Sequence, residues 1–298
     1  MSIVLGFTSR FLFLHIYDAS FSKHCLILCR FKECTRLRSI MEELHNLREL
    51  SHRSRERIKN LGEVFTPEHY VEQMLDILSE GKKGFWGEEN NIFFEPTCGH
   101  GNIILPIVQR RLEGLYKKAQ SKKIKNPELY AVANTINTIW AIDIDEENIE
   151  LCRERVFSVF FYFIMDKRKV GIEDLLDSEF DFFVHLLCAI KWHIYENEAL
   201  SSVSVDEDEA ECSSRQTKLS WNWYNKNGFN PIDFSQSWIS YFKDCDSKDL
   251  EPIEYGRAEK YLNNFLKGSK QGLSHFKFTK KAFTSPLNFE GQLNLEVI

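Results

Sequence analysis

The sequence predicts an α/β fold built on a mainly parallel sheet, with a helical segment before it. Two short apolar stretches, "NIFFEP" at 91–96 and "TIWAIDID" at 138–145, have the length and composition of buried strands. A loop and a helix-like segment follow each of them. This repeated order of strand, loop and helix is typical of a parallel sheet with helical crossovers.

The bulk composition is compatible with such a fold. Apolar residues make up 43% of the chain and charged residues 28%, which is ordinary for a globular protein. The net charge of −6 excludes a uniformly basic nucleic-acid binder but leaves room for a local basic face. The cysteines include no Cys-x-x-Cys pair and no zinc-type spacing, which favours free thiols in a reducing cytoplasm and no metal site.

Residues 1–40 are interpreted as a poorly specified N-terminal extension. Polar and charged residues interrupt its apolar character, so no run approaches the ~20 residues that a membrane-spanning helix needs. The pattern of a signal peptide is also missing. Met41 begins a more protein-like stretch and is a candidate for the natural start. From there we expect a main domain over 41–200 and a mixed α/β C-terminal region over 201–298.

Two helices are predicted before the first strand. Residues 41–60 are charged and carry leucines at helical spacing. The stretch "EVFTPEHYVEQMLDILSEG" at 63–81 predicts a loop and then a helix, with Thr66 as N-cap, Pro67 in the first helical position and Gly81 at the end. The expected apolar face of this helix consists of Val71, Met74, Leu75 and Leu78.

Three further helices are expected around the two strands. The first opens at Gly101 and the second begins at Pro127. The third follows the second strand, with Asp145 as its N-cap. The expected buried face of this third helix consists of Ile149, Cys152, Val156 and Val159.

The pattern weakens after residue 170. The stretch "FDFFVHLLCAIKWHIYENEAL" at 180–200 is apolar enough for a core but does not divide cleanly into helix and strand. The acidic, Ser-rich stretch "SSVSVDEDEAECSSR" at 201–215 predicts a solvated loop.

The stretch "FFEPTCGHGNIIL" at 93–105 carries the main functional signal. Gly99 and Gly101 lie between the first strand and its helix, where a ligand can approach the backbone and the helix N-terminus offers free N–H groups. A dinucleotide site is disfavoured, because Ile104 stands where the third glycine of that fingerprint belongs. A tight strand-to-helix turn without a ligand remains the alternative.

The second strand ends in an acid. An acidic side chain at this position faces the same crevice and can accept hydrogen bonds from ribose hydroxyls, and Asp143 is the candidate. Ile144 is then placed to pack on an adenine ring, while Asp145 serves as the helix cap. The alternative is that both aspartates are caps.

Three segments in this order resemble the adenine-specific DNA methyltransferases of restriction–modification systems. They are "GEVFTPEHYVEQMLDIL", "FFEPTCGHGNIIL" and "IWAIDIDEENIELCRERV", and the resemblance covers about residues 44–160. It implies a Rossmann-like three-layer methyltransferase fold, S-adenosylmethionine as cofactor and methyl transfer to adenine N6.

The resemblance also implies a set of cofactor contacts. The methionine part of the cofactor would lie over Gly99 and Gly101, and the Glu95 carboxylate would bind its ammonium group. Cys98 would be a small loop residue rather than a nucleophile. A third acid near the adenine is expected at Glu198, with Asp174 as the alternative. The implied contacts are Phe65, Thr66, Pro67, Glu95, Pro96, Cys98, Gly99, Gly101, Asp143, Ile144 and Glu198.

The chain departs from this family at the catalytic motif. Members carry Asn or Asp followed by Pro-Pro and an aromatic residue, and no such tetrapeptide occurs in the sequence. Asn230 and Pro231 in "FNPIDF" are the nearest surrogate, with a plain turn as the alternative, and "TSPLNF" at 284–289 is weaker. Lysines between 260 and 281 are candidates for phosphate contacts or for an ordinary solvated surface.

Two functions of different classes follow. The first is a DNA adenine-N6 methyltransferase with an atypical or incomplete active site, whose partner is duplex DNA with a flipped adenine. The second is a non-catalytic cofactor-binding module that acts with a second subunit carrying the missing motif or the target recognition. A methyltransferase for a small molecule or a protein is a third alternative.

Overall fold

The computed structural model describes Thr66–Asp244. Phe65, the N-terminal extension, the helix predicted at 41–60, the lysines between 260 and 281 and the "TSPLNF" stretch all lie outside the described residues. Within them the predicted mixed α/β fold with a parallel sheet is confirmed. The strands are β1 (Phe93–Glu95), β2 (Ile139–Asp143) and β3 (Ile194–Glu196), and they form one sheet in the order β1-β2-β3.

Both strand pairs are parallel. Glu95 is opposite Ala141 in the β1–β2 pair, and Asp143 is opposite Glu196 in the β2–β3 pair. Because the strands run in the same direction, their carboxyl ends meet at one edge of the sheet. The acids that end the three strands therefore lie along this edge.

Helices make up most of the rest of the described chain. The predicted helix at Pro127 is confirmed, and the apolar stretch at 180–200 divides into the end of a long helix, all of β3 and the start of a short helix. The helices are α1 (Glu68–Ser79), a 3-10 helix (Phe85–Gly87), α2 (Ile104–Ser121), α3 (Pro127–Ile136), α4 (Glu146–Arg168), α5 (Ile172–His193), α6 (Ala199–Ser202), α7 (Glu207–Ser214), α8 (Lys218–Asn227) and α9 (Trp238–Asp244). None of the described helices is long and apolar enough to cross a membrane.

Helix α1 differs in two respects from the prediction. Pro67, not Thr66, is the N-cap, and its carbonyl accepts hydrogen bonds from the N–H groups of Tyr70 and Val71 at 2.9 and 3.2 Å. Of the predicted apolar face, Val71 and Leu75 are buried, whereas Met74 is 52% exposed and Leu78 is 41% exposed. The helix packs on the domain with a narrower stripe than its sequence pattern suggests.

The two helices that follow β1 and β2 begin in different ways. Helix α2 begins at Ile104 and not at Gly101, because the φ of Gly101 is +96°, which a right-handed helix does not allow. Helix α4 begins as predicted, since the Asp145 side chain accepts a hydrogen bond from the N–H of Glu147 at 2.9 Å. On α4, Val159 is only half-buried, and the neighbouring Phe160 takes the core position.

Most of the acidic stretch at 201–215 is helical, so the prediction of a loop was wrong there, whereas residues 205–209 are exposed to solvent as predicted. Acid side chains begin both helices here, because Glu198 caps α6 and Asp206 caps α7. Ala210 and Ser214 are buried and hold α7 against the domain. Short capped helices of this kind carry too few apolar residues to show a helical pattern in the sequence.

An irregular segment at 228–237 follows α8 and crosses the sheet. At its start the side chain of Asn197, just after β3, donates to the Asn230 carbonyl at 3.0 Å. In its middle the Phe234 ring lies 5.2 Å from the ring of Phe94. Directly after its end, the N–H of Trp238 donates to Nε2 of His193, the residue before β3, at 3.1 Å. The segment therefore runs from the carboxyl end of β3 back to its amino end.

Candidate functional site

The candidate site lies at the carboxyl ends of β1 and β2. Glu95 is the last residue of β1 and Asp143 is the last residue of β2. The loop 96–103, called here the Gly loop, leads from β1 into α2. Crevices at the carboxyl ends of parallel strands are where α/β sheets commonly bind ligands.

The two glycines of the Gly loop are required for different reasons. Both have left-handed backbone conformations, with φ of +52° at Gly99 and +96° at Gly101. A Cβ on Gly101 would lie 3.0 Å from Sγ of Cys152, so the protein itself fills that position. A Cβ on Gly99 would meet no atom of residues 66–244 within 4 Å. Gly101 serves packing, whereas Gly99 faces space that the described part of the chain leaves open.

The carboxyl end of strand β2 holds the Gly loop through two hydrogen bonds. The N–H of Gly99 donates to Oδ2 of Asp143 at 2.8 Å, and the N–H of Cys98 donates to the carbonyl of Ile142 at 2.9 Å. Within the loop, the N–H of Gly101 donates to the Cys98 carbonyl at 2.8 Å. The loop is thus fixed on the end of the neighbouring strand.

The Asp143 carboxylate is already largely engaged by the protein. Besides Gly99, it accepts from the N–H of Asp145 at 2.9 Å and from Nδ2 of Asn148 at 3.4 Å. A carboxylate offers about four acceptor positions, so three internal bonds leave about one for a ligand. Burial raises the pKa of Asp143, although these hydrogen bonds act in the opposite direction. Asp143 can therefore accept a hydrogen bond from one ribose hydroxyl as it stands. A bond from a second hydroxyl would have to replace one of its three internal hydrogen bonds.

Glu95 is the second carboxyl of the site. Its Oε1 accepts from the N–H and Oγ1 of Thr97 at 3.2 and 3.3 Å. Burial raises the pKa of Glu95, and the charge of Asp143 raises it further, while the two bonds from Thr97 lower it. Within Thr66–Asp244 no Lys or Arg forms an ion pair with either carboxylate. Two half-buried acids without a cation favour a positively charged ligand.

Cys98 does not have the environment of a nucleophile. Its side chain is buried, and a hydrogen bond with the Cys152 thiol together with burial holds its pKa well above the usual value of 9.0. The thiol therefore stays protonated at neutral pH, and thiolate is the nucleophilic form. Its small volume suits the space beneath the Gly loop.

The remaining predicted cofactor contacts are dispersed around this centre. Pro96 and Ile144 directly follow β1 and β2 and are half-buried. Thr66 and Pro67 precede α1, which is tied to α2 by ion pairs from Arg110 to Glu72 at 2.5 Å and to Asp76 at 2.7 Å.

The third acid is placed differently from the other two. Glu198 is buried, and its two oxygens accept from the N–H groups of Leu200 and Ser201 at 3.1 and 2.7 Å. The two cap bonds leave about two of its four acceptor positions, and an adenine contact by Glu198 stays a prediction. Asp174 is exposed in the first turn of α5, at the end of that helix that is far from β3.

The surrogate catalytic pair, Asn230 and Pro231, is exposed and reaches the same edge of the sheet. The link is Asn197, which is fully buried after β3. Its main-chain N–H donates to the Asp143 carbonyl at 3.0 Å, and its side chain donates to the Asn230 carbonyl. The backbone of Asn230 is thereby connected to the strand end that carries Asp143.

The sequence interpretation missed two residues that shape the site, Asn197 and Arg155. Asn197 directly follows the parallel strand β3. Asp143 was identified because polar residues at the carboxyl ends of parallel strands face the ligand crevice, and the same argument identifies Asn197 once the boundary between α5 and β3 is known. Arg155 lies on α4, and its Nη1 donates to the carbonyl of His100 in the Gly loop at 2.7 Å. No local sequence pattern predicts the role of Arg155, because its partner, His100, is 55 residues away in the chain.

A scan against protein-family models and searches of curated proteins and of solved structures returned no match to this chain.

Proposed function

We propose that this chain binds S-adenosylmethionine and is a DNA methyltransferase that transfers the methyl group to adenine N6, with an atypical catalytic motif. The observation that carries the proposal is the pair of half-buried carboxylates, Glu95 and Asp143, which have no cation among the described residues and lie beside open space at Gly99. On this proposal the three-stranded sheet belongs to a Rossmann-like methyltransferase fold.

The chemistry of S-adenosylmethionine complements this pair. The cofactor has a positive ammonium group, a positive sulfonium and a ribose with two hydroxyls. Glu95 has Oε2 without a hydrogen-bond partner among the described residues, so it is the proposed acceptor for the ammonium group. Asp143 is the proposed acceptor for a ribose hydroxyl. A bound cation lowers the repulsion between the two acids.

The reaction needs little covalent help from the protein. Bound S-adenosylmethionine would supply an electrophilic methyl group, which the adenine amine would take up as the S–C bond breaks and one amine proton passes to an acceptor. S-Adenosylhomocysteine would be the second product. Positioning of the two reactants supplies most of the rate. Asn230 is the proposed contact for the amine of a base flipped out of duplex DNA.

A second candidate function is a cofactor-binding module that depends on a second subunit. It is favoured by the absence of the Asn/Asp-Pro-Pro-aromatic motif from the sequence. It is also favoured by the position of β1, whose outer edge has no partner strand within the described residues. In this version the partner chain supplies the catalytic motif or the contacts to DNA.

Titration calorimetry of the full chain tests cofactor binding. We expect one site for S-adenosylmethionine and weaker binding of S-adenosylhomocysteine, which lacks the sulfonium charge. Glu95→Gln keeps an acceptor for Thr97 but loses the charge, and it should weaken S-adenosylmethionine binding about tenfold or more. Glu196→Gln is the matched control, since Glu196 ends β3 at the same edge and accepts from Nε1 of Trp223 at 3.2 Å.

The outcomes separate the alternatives. No binding by the wild-type chain overturns the proposal. Equal losses in Glu95→Gln and Glu196→Gln would show a general charge effect and remove Glu95 from the site. Binding without transfer of a tritiated methyl group to mixed-sequence duplex DNA would favour the partner-dependent module.

A further inference from the structure

Arg155 is a charged residue outside the sheet whose side chain holds the backbone of the Gly loop. Its Nη1 donates to the His100 carbonyl at 2.7 Å and to Oδ1 of Asn102 at 3.4 Å. Arg155 lies on α4, the helix that follows β2. Two consecutive elements, β2 and α4, therefore hold the same loop.

The two tethers have opposite polarity. The Asp143 carboxylate accepts the N–H of Gly99 from one side, and the Arg155 guanidinium donates to the carbonyl of His100 from another. These groups belong to peptide units on either side of the Gly99–His100 bond. Together the two charged contacts fix the directions of both units.

Such tethers matter most in a glycine-rich segment. Gly99 and Gly101 can populate positive and negative φ with similar ease, so the loop has many alternatives to the observed conformation. Fixing one backbone residue costs about 1–2 kcal/mol of conformational free energy. A loop that is already ordered does not incur this cost when a ligand binds.

We propose that Arg155 is a positioning residue for cofactor binding, which holds the Gly loop in the conformation that leaves the space beside Gly99 open. The role of Arg155 in cofactor binding rests on the proposed function, whereas its effect on the conformation of the Gly loop does not. A guanidinium suits the task, since Nη1 carries two N–H groups in fixed directions and reaches a carbonyl and a side-chain oxygen together. The ammonium group of a lysine is a rotatable point charge without this planar geometry.

Arg153, two residues earlier on α4, provides a matched control. Its Nε donates to the carbonyl of Ile194 at 2.7 Å, and its Nη2 donates to the carbonyl of Lys191 at 3.3 Å. Both arginines donate to main-chain carbonyls, but the carbonyl bonds of Arg153 join α4 to the junction of α5 and β3, and its Nη1 also pairs with Glu150 at 2.6 Å. A general loss of stability from breaking an arginine–carbonyl bond should appear in both variants.

Hydrogen exchange of the full chain without ligand tests the loop. The N–H groups of Gly101 and Leu105 are bonded to the carbonyls of Cys98 and Gly101 at 2.8 and 2.9 Å, and they report on the closed turn. In Arg155→Gln we expect their exchange to be faster by about tenfold, with little change in Arg153→Gln. Unchanged exchange in Arg155→Gln overturns the inference, whether or not the chain binds a cofactor.

Calorimetry with S-adenosylmethionine tests the consequence. We expect the Kd to rise about tenfold in Arg155→Gln and to stay near the wild-type value in Arg153→Gln. Arg155→Lys should fall between wild type and Arg155→Gln, and it serves in both measurements if Arg155→Gln does not fold. Faster loop exchange with unchanged affinity overturns the positioning role. A wild-type chain that does not bind contradicts the proposed function, and the exchange measurement still decides whether Arg155 orders the loop.

Discussion

The Gly loop and the segment 228–237 both bring polar groups to the carboxyl edge of the sheet, but they are held there in different ways. The Gly loop is held by a carboxylate and a guanidinium, from Asp143 and Arg155, and its glycines adopt fixed left-handed conformations. The start of the other segment is held through neutral bonds, including one from the N–H of Ile232 to the carbonyl of Ser202 at 2.9 Å.

This difference concerns preorganisation. The part of the site proposed to bind the cofactor is half-buried and ordered by charged contacts, whereas Asn230 and Pro231 are exposed. Among residues 66–244, the hydrogen bond that holds this pair goes to the main-chain carbonyl of Asn230 and not to a side chain. A catalytic group needs its side chain held in place by neighbours. The edge of the sheet is therefore better prepared for binding than for transfer.

Methyl transfer is expected to show the largest effect. Positioning contributes on the order of 7–11 kcal/mol to lowering a barrier, and the exposed Asn230 supplies little of it. The isolated chain should bind S-adenosylmethionine but methylate duplex DNA very slowly or not at all in a tritiated-methyl assay. Robust transfer that disappears in Asn230→Ala would erase the contrast between the two regions, and robust transfer that survives the change would place the catalytic element elsewhere.

The far end of the segment 228–237 should give the chain a strong acid sensitivity. Nε2 of His193 accepts the N–H of Trp238, and burial lowers the pKa of His193 from 6.5 to about 3. Between these values the unfolded chain binds a proton that the folded chain does not, so stability is complete above pH 6.5 and falls as the pH decreases toward 3. The expected slope approaches 1.4 kcal/mol per pH unit.

Urea unfolding at several pH values between 4 and 7 measures this slope. His193→Gln cannot protonate, so its stability should be lower at pH 7 but should vary less with pH. An equal pH dependence in the two proteins would assign the acid sensitivity to the carboxyl groups instead.

Substitutions of Gly99 and Gly101 should distinguish a glycine needed for internal packing from one needed for ligand binding. Asparagine tolerates the left-handed region better than other residues with a Cβ, so it tests space more than backbone strain. Gly101→Asn places an atom against Cys152 and should lower the free energy of unfolding by about 1–3 kcal/mol. Gly99→Asn should unfold close to the wild-type temperature but lose cofactor affinity.

Melting curves with and without S-adenosylmethionine distinguish the two results. If Gly99 is only part of a tight turn, Gly99→Asn will shift the melting temperature equally with and without ligand. In that case the open space beside Gly99 has no connection to a cofactor.

The smallest expected effect is the pH dependence of binding. The pKa of Glu95 lies above its ordinary value of 4.5, so at a pH just above 4.5 the Glu95 carboxyl is still protonated in a large fraction of the molecules. S-Adenosylmethionine affinity should therefore rise as the pH increases above 4.5 and level off once Glu95 is ionised. Glu95→Gln should bind with a flatter pH profile in the same calorimetric series. A profile unchanged by the substitution would mean that Glu95 does not contact the cation.

Much of the sheet and its edge was predictable from local sequence. The strands β1 and β2, the helix cap at Asp145 and the glycines of the loop each depend on patterns within a few residues. The division of the apolar stretch at 180–200 into α5 and β3 was not predictable. Its residues are apolar on all sides because the core surrounds them, so periodicity is lost.

The sequence by itself determined which residue types stand at the carboxyl ends of the first two strands, since strand length and the following loop are local properties. Only the tertiary structure decided how many acceptor positions of Asp143 remain for a ligand. It also decided that Arg155 reaches the Gly loop across 55 residues and that Asn197 reaches Asn230 across 33. Such contacts depend on how α4 and the segment after α8 pack against the sheet. Packing is set by the whole core and not by the residues near each contact.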